Sequence, residues 1–340
     1  MSNTVKWSFS ADCCLRRCQR QYFLQQVAAF HSANDAVRRE AFLLKQIKTP
    51  ELWHGSLVHR GIELYVAPRL TGNEPIDWAR AVELTAEMAK RQFDFSANRH
   101  YREPGMTKGK AGDDYCALRA HEEANGVSQD DCEAAIGVIE QSFSNLAEMT
   151  DLLAEIRGRG KYWPELQVRI TYDAAFIEAH IDLLFFRGFG KPTIVDWKVS
   201  ESQGTSDAAL QTALYAWVLC QHPSWHVSRA EDCELLEVQL LTKAVLRHRA
   251  DQATFDRLED RIYLSVNDMK ALGIGEKFDL ANIERFDFAG NPNSCAFCSM
   301  QPLCRKLLTE TELAENAAAQ NHSRSRRKLA HVYTQPQLFC

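Results

Sequence analysis

The sequence of 340 residues lacks several features that would place it in a special class of protein. No run of ~18 or more apolar residues occurs, which argues against a membrane-spanning helix. The N-terminus MSNTVKWSFS does not have the charged segment followed by an apolar one that marks a signal peptide. No internal repeat of the kind that builds solenoids is visible. We therefore expect a globular protein of the cytoplasm that does not contact a membrane.

An excess of positive charge is also missing. The formal net charge is −5, from 40 Lys and Arg against 45 Asp and Glu, so the chain as a whole does not attract nucleic acid. Binding of a polyanion would depend on local basic clusters. Two such clusters are Arg16, Arg17 and Arg20 near the N-terminus, and Arg324, Arg326, Arg327 and Lys328 near the C-terminus. Charge alone does not indicate the function.

Hydrophobic periodicity divides the chain into a helical first part and a mixed second part. Apolar residues recur at helical spacing in LVHRGIELYV and again from Cys132 to Leu146. Later segments alternate with a period of two, and helical patterns follow them. The chain is thus predicted to contain a helical N-terminal region (1–160), an α/β core with a following helix (161–290), a cysteine segment (291–310) and a polar basic tail (311–340).

Two consecutive predicted strands carry charged residues on one face. In FIEAHIDLLFF, Asp182 alternates with apolar neighbours, and after the turn RGFGKP the strand TIVDWKV places Asp196 and Lys198 opposite Trp197. A buried charge is costly unless it is paired or liganded. These charged side chains therefore need a common explanation.

Two carboxylates and an ammonium at one edge of a sheet fit a metal site for phosphodiester hydrolysis. Carboxylate oxygens are ligands of Mg²⁺ or Mn²⁺, the metal polarises the phosphate, and a lysine orients the attacking water or offsets developing charge. An isolated Asp-x-Lys is far more often an ordinary salt bridge on a strand. The surrounding motifs are needed to decide between the two interpretations.

The segments HIDLLFF, TIVDWKV and LQTALY, in this order and at these intervals, resemble the PD-(D/E)xK nucleases. The likeness is to the RecB-type branch, in which a Gln-x-x-x-Tyr helix follows the lysine strand. Upstream, WHGSLVHRGIE resembles the first motif of that branch, a helix with a glycine and a histidine four residues later. The resemblance implies a restriction-endonuclease-like α/β core, with a central mixed sheet flanked by helices, a large helical N-terminal region and insertion, and a C-terminal cysteine cluster.

The resemblance also implies roles for individual residues. Carried over position by position, it gives metal ligands His59, Asp182 and Asp196, a catalytic Lys198, and the pair Gln211 and Tyr215, which would line the site or contact DNA. Without the family, His59 would be an ordinary helix histidine. Glu165 in WPELQV sits where many relatives have an acid, and it would equally suit a surface position.

The eleven cysteines include a closely spaced set near the C-terminus. Cys295, Cys298 and Cys304 form C-x2-C-x5-C, which suits a metal centre but supplies only three thiolates. Zinc and a [4Fe-4S] cluster both accept four, and spacing does not separate them. A reducing cytosol favours a metal site over disulfides, and three buried structural cysteines are the remaining interpretation.

The N-terminal stretch SFSADCCLRRCQRQYFL offers candidates for a fourth thiolate. It resembles the opening of the iron–sulfur subset of RecB-type nucleases, which includes the AddB nuclease domain and the CRISPR-associated RecB-like exonucleases. In that subset an early cysteine, followed by a basic residue and aromatics, joins three C-terminal cysteines. The resemblance implies that Cys18 completes a structural [4Fe-4S] cluster. Gln19 stands where the subset has proline, and Cys13 and Cys14 remain alternatives.

The last residues, TQPQLFC, resemble the Gln-x-x-Leu-Phe peptides by which bacterial replication and repair proteins dock on the sliding clamp. Gln335, Leu338 and Phe339 would then bind the clamp, with the two apolar side chains in an apolar pocket. A disordered tail that happens to contain two apolar residues is an equal alternative.

Together these features predict a Mg²⁺- or Mn²⁺-dependent deoxyribonuclease. It would act as an exonuclease on single-stranded DNA or DNA ends, in repair, recombination or defence. Two other functions fit the sequence: a non-catalytic DNA-binding subunit of a recombination or defence complex that retains the fold, and a zinc-stapled structural protein. Association into a homo-oligomer stays open.

Overall fold

The structure is a computed structural model that describes residues 4–123, 129–157, 160–173, 175–186, 191–199, 206–291 and 293–308. The predicted clamp-binding residues Gln335, Leu338 and Phe339 and the basic tail lie outside these ranges. The described residues of Met1–Ile47 and Ser265–Cys340 form one compact unit, and those of Lys48–Leu264 form another. None of the described helices combines the length and the apolar character that crossing a bilayer requires.

The described strands are, in chain order, β1 (Val5–Trp7), β2 (Tyr162–Tyr172), β3 (Ala175–Phe186), β4 (Pro192–Lys198), β5 (Glu234–Gln239) and β6 (Ala244–His248). The described α-helices are α1 (Phe9–Arg17), α2 (Gln19–Tyr22), α3 (Ala36–Lys45), α4 (Pro50–Gly61), α5 (Ala67–Thr71), α6 (Trp78–Ala97), α7 (Lys108–Ala111), α8 (Arg119–Glu122), α9 (Gln129–Glu148), α10 (Thr150–Ile156), α11 (Ser206–Gln221), α12 (Gln252–Ala271), α13 (Asn293–Ala296) and α14 (Gln301–Lys306). Segments of π-helix at Phe23–Ala28 and Ile62–Val66 directly follow α2 and α4.

A mixed sheet organises the 48–264 unit. Strands β2 to β6 lie side by side in numerical order. Antiparallel pairing joins β2 to β3, β3 to β4 and β5 to β6, whereas β5 runs parallel to β4. A parallel step needs a crossover connection, and α11 lies in it between β4 and β5. The predicted α/β core, a central mixed sheet flanked by helices, is confirmed.

One face of this sheet packs on the helical part of the unit. The core there includes sheet residues Leu183, Phe185, Val195, Trp197, Leu236 and Val238 and helix residues Leu57, Val58, Ile62, Val66, Cys132, Ala135, Ile139, Phe143 and Leu146. These helix residues are the ones that the helical periodicity predicted as apolar faces. Because Trp197 and Val195 face this core, Asp196 and Lys198 between and beside them face the opposite way.

A close contact between helices fixes the position of α4. A Cβ atom at Gly61 would lie 2.4 Å from Thr85 Oγ1 of α6 and 2.7 Å from the ring of Phe143 of α9. Only glycine permits that approach. The end of α4, which carries His59, is therefore held firmly against the other helices.

The other unit combines the two ends of the described chain. Phe23 packs on Phe286 with ring centroids 4.8 Å apart, and Arg20 Nε donates to the Phe286 carbonyl at 3.1 Å. Arg20 is buried, so it adds no surface charge to the basic cluster that the sequence places at Arg16, Arg17 and Arg20. Long-range contacts of this kind hold segments that are more than 250 residues apart in sequence.

Candidate active site

His59 approaches the sheet from the last turn of α4. The helix begins after Thr49, whose hydroxyl accepts a hydrogen bond from the Leu52 N–H at 3.5 Å, and Pro50 occupies a first-turn position where its missing donor does no harm. At the other end of the helix, His59 Nδ1 lies 3.5 Å from Asp182 Oδ1 on β3. The structure thus brings together the histidine and the first aspartate that the sequence predicted.

Asp182 is held by the neighbouring strand as well. Its Oδ2 accepts a hydrogen bond of 2.7 Å from the backbone N–H of Trp197 on β4. One carboxylate oxygen is therefore fixed by backbone while the other faces His59. The orientation of this carboxylate does not depend on side-chain flexibility.

Glu165 joins the same group through an unusual backbone conformation. It lies within β2, between the paired positions Pro164↔Leu183 and Leu166↔Ile181, and so stands across from Asp182. Its φ is +47°, which is uncommon for a residue other than glycine and is found most often where function demands it. One donor atom each from His59, Glu165 and Asp182 lie within 4.8 Å of one another. The sequence left Glu165 open between the site and the surface.

Asp196 and Lys198 form the neighbouring part of the site. Lys198 Nζ lies 2.6 Å from Asp196 Oδ2 and donates to Gln211 Oε1 of α11 at 3.3 Å. The amide Nε2 of Gln211 in turn donates to the Tyr215 hydroxyl at 2.7 Å. All four residues that the sequence placed together are therefore connected side chain to side chain.

The short contact between Lys198 and Asp196 is an ion pair without hydrogen-bond geometry. Asp196 is buried, and its Oδ2 accepts no hydrogen bond from the described part of the chain. The Lys198 ammonium, 2.6 Å from this oxygen, offsets part of the cost of burying the charge.

The charges of the site shift its pKa values strongly. Burial alone would lower the pKa of His59, but the adjacent Asp182 carboxylate raises it to about 9. Burial would raise the pKa of Asp182, but the positive charge of His59 and the Trp197 N–H lower it overall. Without a metal the two groups stabilise each other as an ion pair, and His59 would have to lose its proton to act as a metal ligand.

The remaining acids show the opposite shift. Burial, reinforced by the charge of Asp182, raises the pKa of Asp196 to about 6 even though Lys198 acts to lower it. Burial and the charge of Asp182 likewise raise the pKa of Glu165 to about 7. The three carboxylates repel one another more than the nearby positive charges offset. Shifted pKa values of this kind are typical of functional sites.

These residues fit a divalent cation. Carboxylate oxygens and an imidazole nitrogen are ligands that Mg²⁺ and Mn²⁺ accept, and a cation would relieve the repulsion among Glu165, Asp182 and Asp196. Of the described residues, His59, Glu165 and Asp182 form the group whose donor atoms converge and would hold such an ion. Asp196, the remaining predicted ligand, lies outside that group and pairs with Lys198.

A further buried carboxylate flanks the site on β5. Glu237 is the register partner of Asp196; its Oε2 lies 2.7 Å from His248 Nε2, and Gln239 donates to its other oxygen. Burial would raise the pKa of Glu237, but His248 holds it below its usual range. Nothing in the sequence marks Glu237 as a site residue, because it lies within the apolar run LLEVQLL.

The four cysteines predicted as cluster ligands line one cavity in the other unit. Cys18, Cys295, Cys298 and Cys304 surround a space of about 280 Å³ together with residues such as Phe288 and Met300. That volume is about ten times the ~30 Å³ share of one water molecule. The cavity that these four cysteines help to line is large enough for a group of several atoms.

The alternatives to Cys18 have other surroundings. Cys13 and Cys14 are buried, and Cys14 Sγ lies 3.4 Å from Gln25 Oε1, to which it donates. Cys18 instead caps α2 by accepting from the Gln21 N–H at 3.4 Å. Burial raises the pKa of Cys298 to about 11, so loading a metal centre requires loss of thiol protons.

Comparison with known proteins gives one match over most of the chain. A family model described as the PD-(D/E)XK nuclease superfamily matches residues 6–305. No curated protein matches the sequence.

Two solved structures show weak similarity. One is SSO0001, with 14% identity and a TM-score of 0.27, covering 67% of this chain and 98% of that one. The other is a protein of Eubacterium rectale described as a candidate exonuclease, with 10% identity and a TM-score of 0.32, covering 82% of this chain and 94% of that one.

Proposed function

Because the chain belongs to the PD-(D/E)XK nuclease superfamily, we propose that it is a metal-dependent deoxyribonuclease that acts as an exonuclease on single-stranded DNA or on DNA ends. The observation that carries this proposal is the convergence of donor atoms from His59, Glu165 and Asp182 within 4.8 Å. An Asp–Lys ion pair lies beside them. A structural salt bridge alone would not gather three acids and a histidine on one face of the sheet.

The first role in hydrolysis is to hold the metal. His59, Glu165 and Asp182 would hold the divalent cation, with Asp196 as the further ligand that the family resemblance implies. When bound, that cation supplies Lewis-acid polarisation of the scissile phosphate. The orientation of Asp182 is fixed in advance by the Trp197 N–H, which reduces the reorganisation needed on substrate binding.

Lys198 orients the attacking water and offsets the negative charge that develops in the transition state. The charge of Asp196 keeps the pKa of Lys198 above its ordinary value despite burial, so the side chain stays an ammonium at neutral pH. Gln211 accepts from its Nζ, and Tyr215 holds Gln211. The ammonium is thereby aimed at the side of the metal site where the phosphate binds.

The experiment that tests this function compares linear and circular DNA. Purified protein is incubated with end-labelled single-stranded and double-stranded oligonucleotides and with covalently closed circular single strands, in Mn²⁺ or in EDTA. We expect Mn²⁺-dependent degradation of the linear substrates and intact circles. Cleavage of the circles would identify an endonuclease, and no cleavage of any DNA would reject the nuclease proposal.

We also propose that Cys18, Cys295, Cys298 and Cys304 hold a [4Fe-4S] cluster, as in the iron–sulfur subset of RecB-type nucleases. Support comes from the single cavity that all four line. The cluster would tie both ends of the described chain into one unit, which restricts the unfolded state most when the closed loop is long. An anaerobic visible spectrum with iron and sulfide analysis tests it, since a zinc protein is colourless.

A further inference from the structure

Lys48 is fixed at both its backbone and its side chain, just before α4. Its N–H donates to the Ala117 carbonyl at 2.8 Å, and its carbonyl accepts from the Arg119 N–H at 2.9 Å, which makes a parallel bridge to Leu118. The ammonium donates to Ser56 Oγ at 2.7 Å. A long, flexible side chain is thus held in one place.

The charge of Lys48 is not balanced by an acid. Among the described residues, no carboxylate forms an ion pair with its ammonium, and its hydrogen-bond acceptor is the neutral hydroxyl of Ser56. Burial lowers its pKa, and the nearby Lys108 lowers it further although the Cys116 thiol acts in the other direction. A desolvated ammonium that also feels the charge of a second cation is costly unless an anion joins them. The arrangement is one that an external anion would stabilise.

The position of Ser56 places this ammonium next to the proposed catalytic site. Ser56 precedes His59 by three residues on α4, so the two side chains lie on one helical face about one turn apart. Gly55, on the same side of the helix, has nothing within 4 Å of where a Cβ would be. Open space therefore adjoins this face of α4 at Gly55.

From this geometry we propose that Lys48, tethered by Ser56 and assisted by Lys108, binds a non-scissile phosphate of the DNA strand whose scissile phosphate lies at His59 and Asp182. The proposal rests on the proposed function, because it takes the polynucleotide as ligand. A single strand carries a phosphate on every nucleotide, and one helical turn of ~5.4 Å is on the scale of the distance between neighbours. A lysine binds such a group as a point charge.

The test measures DNA binding without metal, so that it does not depend on cleavage. A fluorescein-labelled thymidine 20-mer is titrated in EDTA at several salt concentrations with the parent, Lys48→Gln, Lys48→Arg and Lys191→Gln. Lys191 is an exposed control at the start of β4, where its ammonium lies 3.7 Å from Asp232. We expect Lys48→Gln to weaken binding about 10-fold and to reduce the slope of log K against log salt by about 0.7, the value for one lost contact to a single strand. Lys48→Arg should restore both.

The outcomes separate this subsite from the nuclease proposal. Unchanged binding and salt slope in Lys48→Gln, or an equal loss in Lys191→Gln, would overturn the subsite even if the parent cleaves DNA, and so would failure of the parent to bind DNA. If the parent cleaves no DNA but Lys48→Gln still reduces the slope of log K against log salt, the phosphate subsite is supported and the nuclease proposal is rejected. If Lys48→Gln does not fold, Lys108→Gln decides, because that side chain is exposed: a reduced slope supports the subsite and an unchanged slope overturns it.

Discussion

The backbone N–H of Trp197 donates a 2.7 Å hydrogen bond to Oδ2 of Asp182, so a proposed metal ligand also links strands β3 and β4. This double role allows catalysis and stability to be separated by choice of substitution. Asparagine can still accept from the Trp197 N–H, whereas alanine cannot.

We expect Asp182→Asn and Asp182→Ala both to lower Mn²⁺-dependent cleavage by at least ~10²-fold, the scale for losing one preorganised electrostatic group. Only the alanine variant should lose a further ~1–3 kcal/mol of unfolding free energy, because it leaves a buried N–H without an acceptor. Cleavage assays and urea unfolding measure the two effects. Substantial cleavage by Asp182→Asn would contradict the assigned role.

Tyr215→Phe should reduce turnover without abolishing it. The substitution removes the hydroxyl that accepts from Gln211, and Gln211 in turn accepts from Lys198. Loss of one hydrogen bond of ~1 kcal/mol in this chain should lower kcat about 5-fold and leave KM unchanged. Tyr263→Phe on α12, where the side chain is exposed, is the matched control and should behave as the parent. A change confined to KM would show that Tyr215 contacts substrate instead.

The pH dependence of stability should reveal the raised pKa of Asp196. In the folded protein without metal its pKa is about 6, against ~3.9 in an unfolded chain. The folded state therefore binds this proton more tightly, and the unfolding free energy falls as pH rises from about 4 to 6. Relative to the parent, Asp196→Asn should gain stability over that window, on the order of 1–3 kcal/mol, in urea unfolding at pH 4.5 and pH 8 in EDTA.

Glu237 on the adjacent strand β5 is a control, because its pKa is shifted in the opposite direction from that of Asp196. Its pKa is held below the usual range by His248, so its contribution to stability is present above the unfolded pKa and is lost as pH falls through the folded one. Glu237→Gln should therefore be less stable than the parent at pH 8. If both variants shift in the same direction, the assigned electrostatics are wrong.

Two glycines of α4 should respond oppositely to alanine. At Gly55 a Cβ meets nothing within 4 Å, so Gly55→Ala should stabilise by ~0.5–1 kcal/mol through helix propensity. At Gly61 the Cβ would collide with Thr85 and Phe143, and overpacking there should cost ~1–3 kcal/mol. Thermal unfolding of both variants measures the difference. Equal stabilities would contradict the close packing of α4 on α6 and α9.

Cys298→Ser should remove the visible absorbance of anaerobically purified protein and lower its bound iron. Cys132→Ser is the matched control, because Cys132 is fully buried in the helical core of the other unit and is not among the residues that line the cavity. That variant should keep the colour of the parent. A colourless parent that contains zinc would refute the cluster.

Much of the core could be predicted from sequence because its periodicities are strong. Alternation in β3 and β4 placed Leu183 and Trp197 in the core and the charged residues opposite. The 3.6-residue pattern from Cys132 to Leu146 lies within α9 (Gln129–Glu148). Each of these elements buries a continuous apolar face, which is the signal that a single sequence carries best.

The elements that were missed lack such a face. β2 contains Pro164 and the left-handed Glu165, and much of it is exposed, so its alternation is obscured although it pairs with nearly all of β3. β6 is only five residues long. The hydrogen bond between Lys48 and Ser56 depends on how the chain enters α4, which no local pattern encodes.

The division of the chain has a consequence for its synthesis. The Lys48–Leu264 unit is continuous, whereas the other joins Met1–Ile47 to residues made about 220 positions later. At translation rates of ~5–20 residues per second, the first segment waits roughly 10–40 s on the ribosome before its partners emerge. During that interval Phe286, on which Phe23 packs, has not been made, and neither have Cys295, Cys298 and Cys304, with which Cys18 lines a cavity.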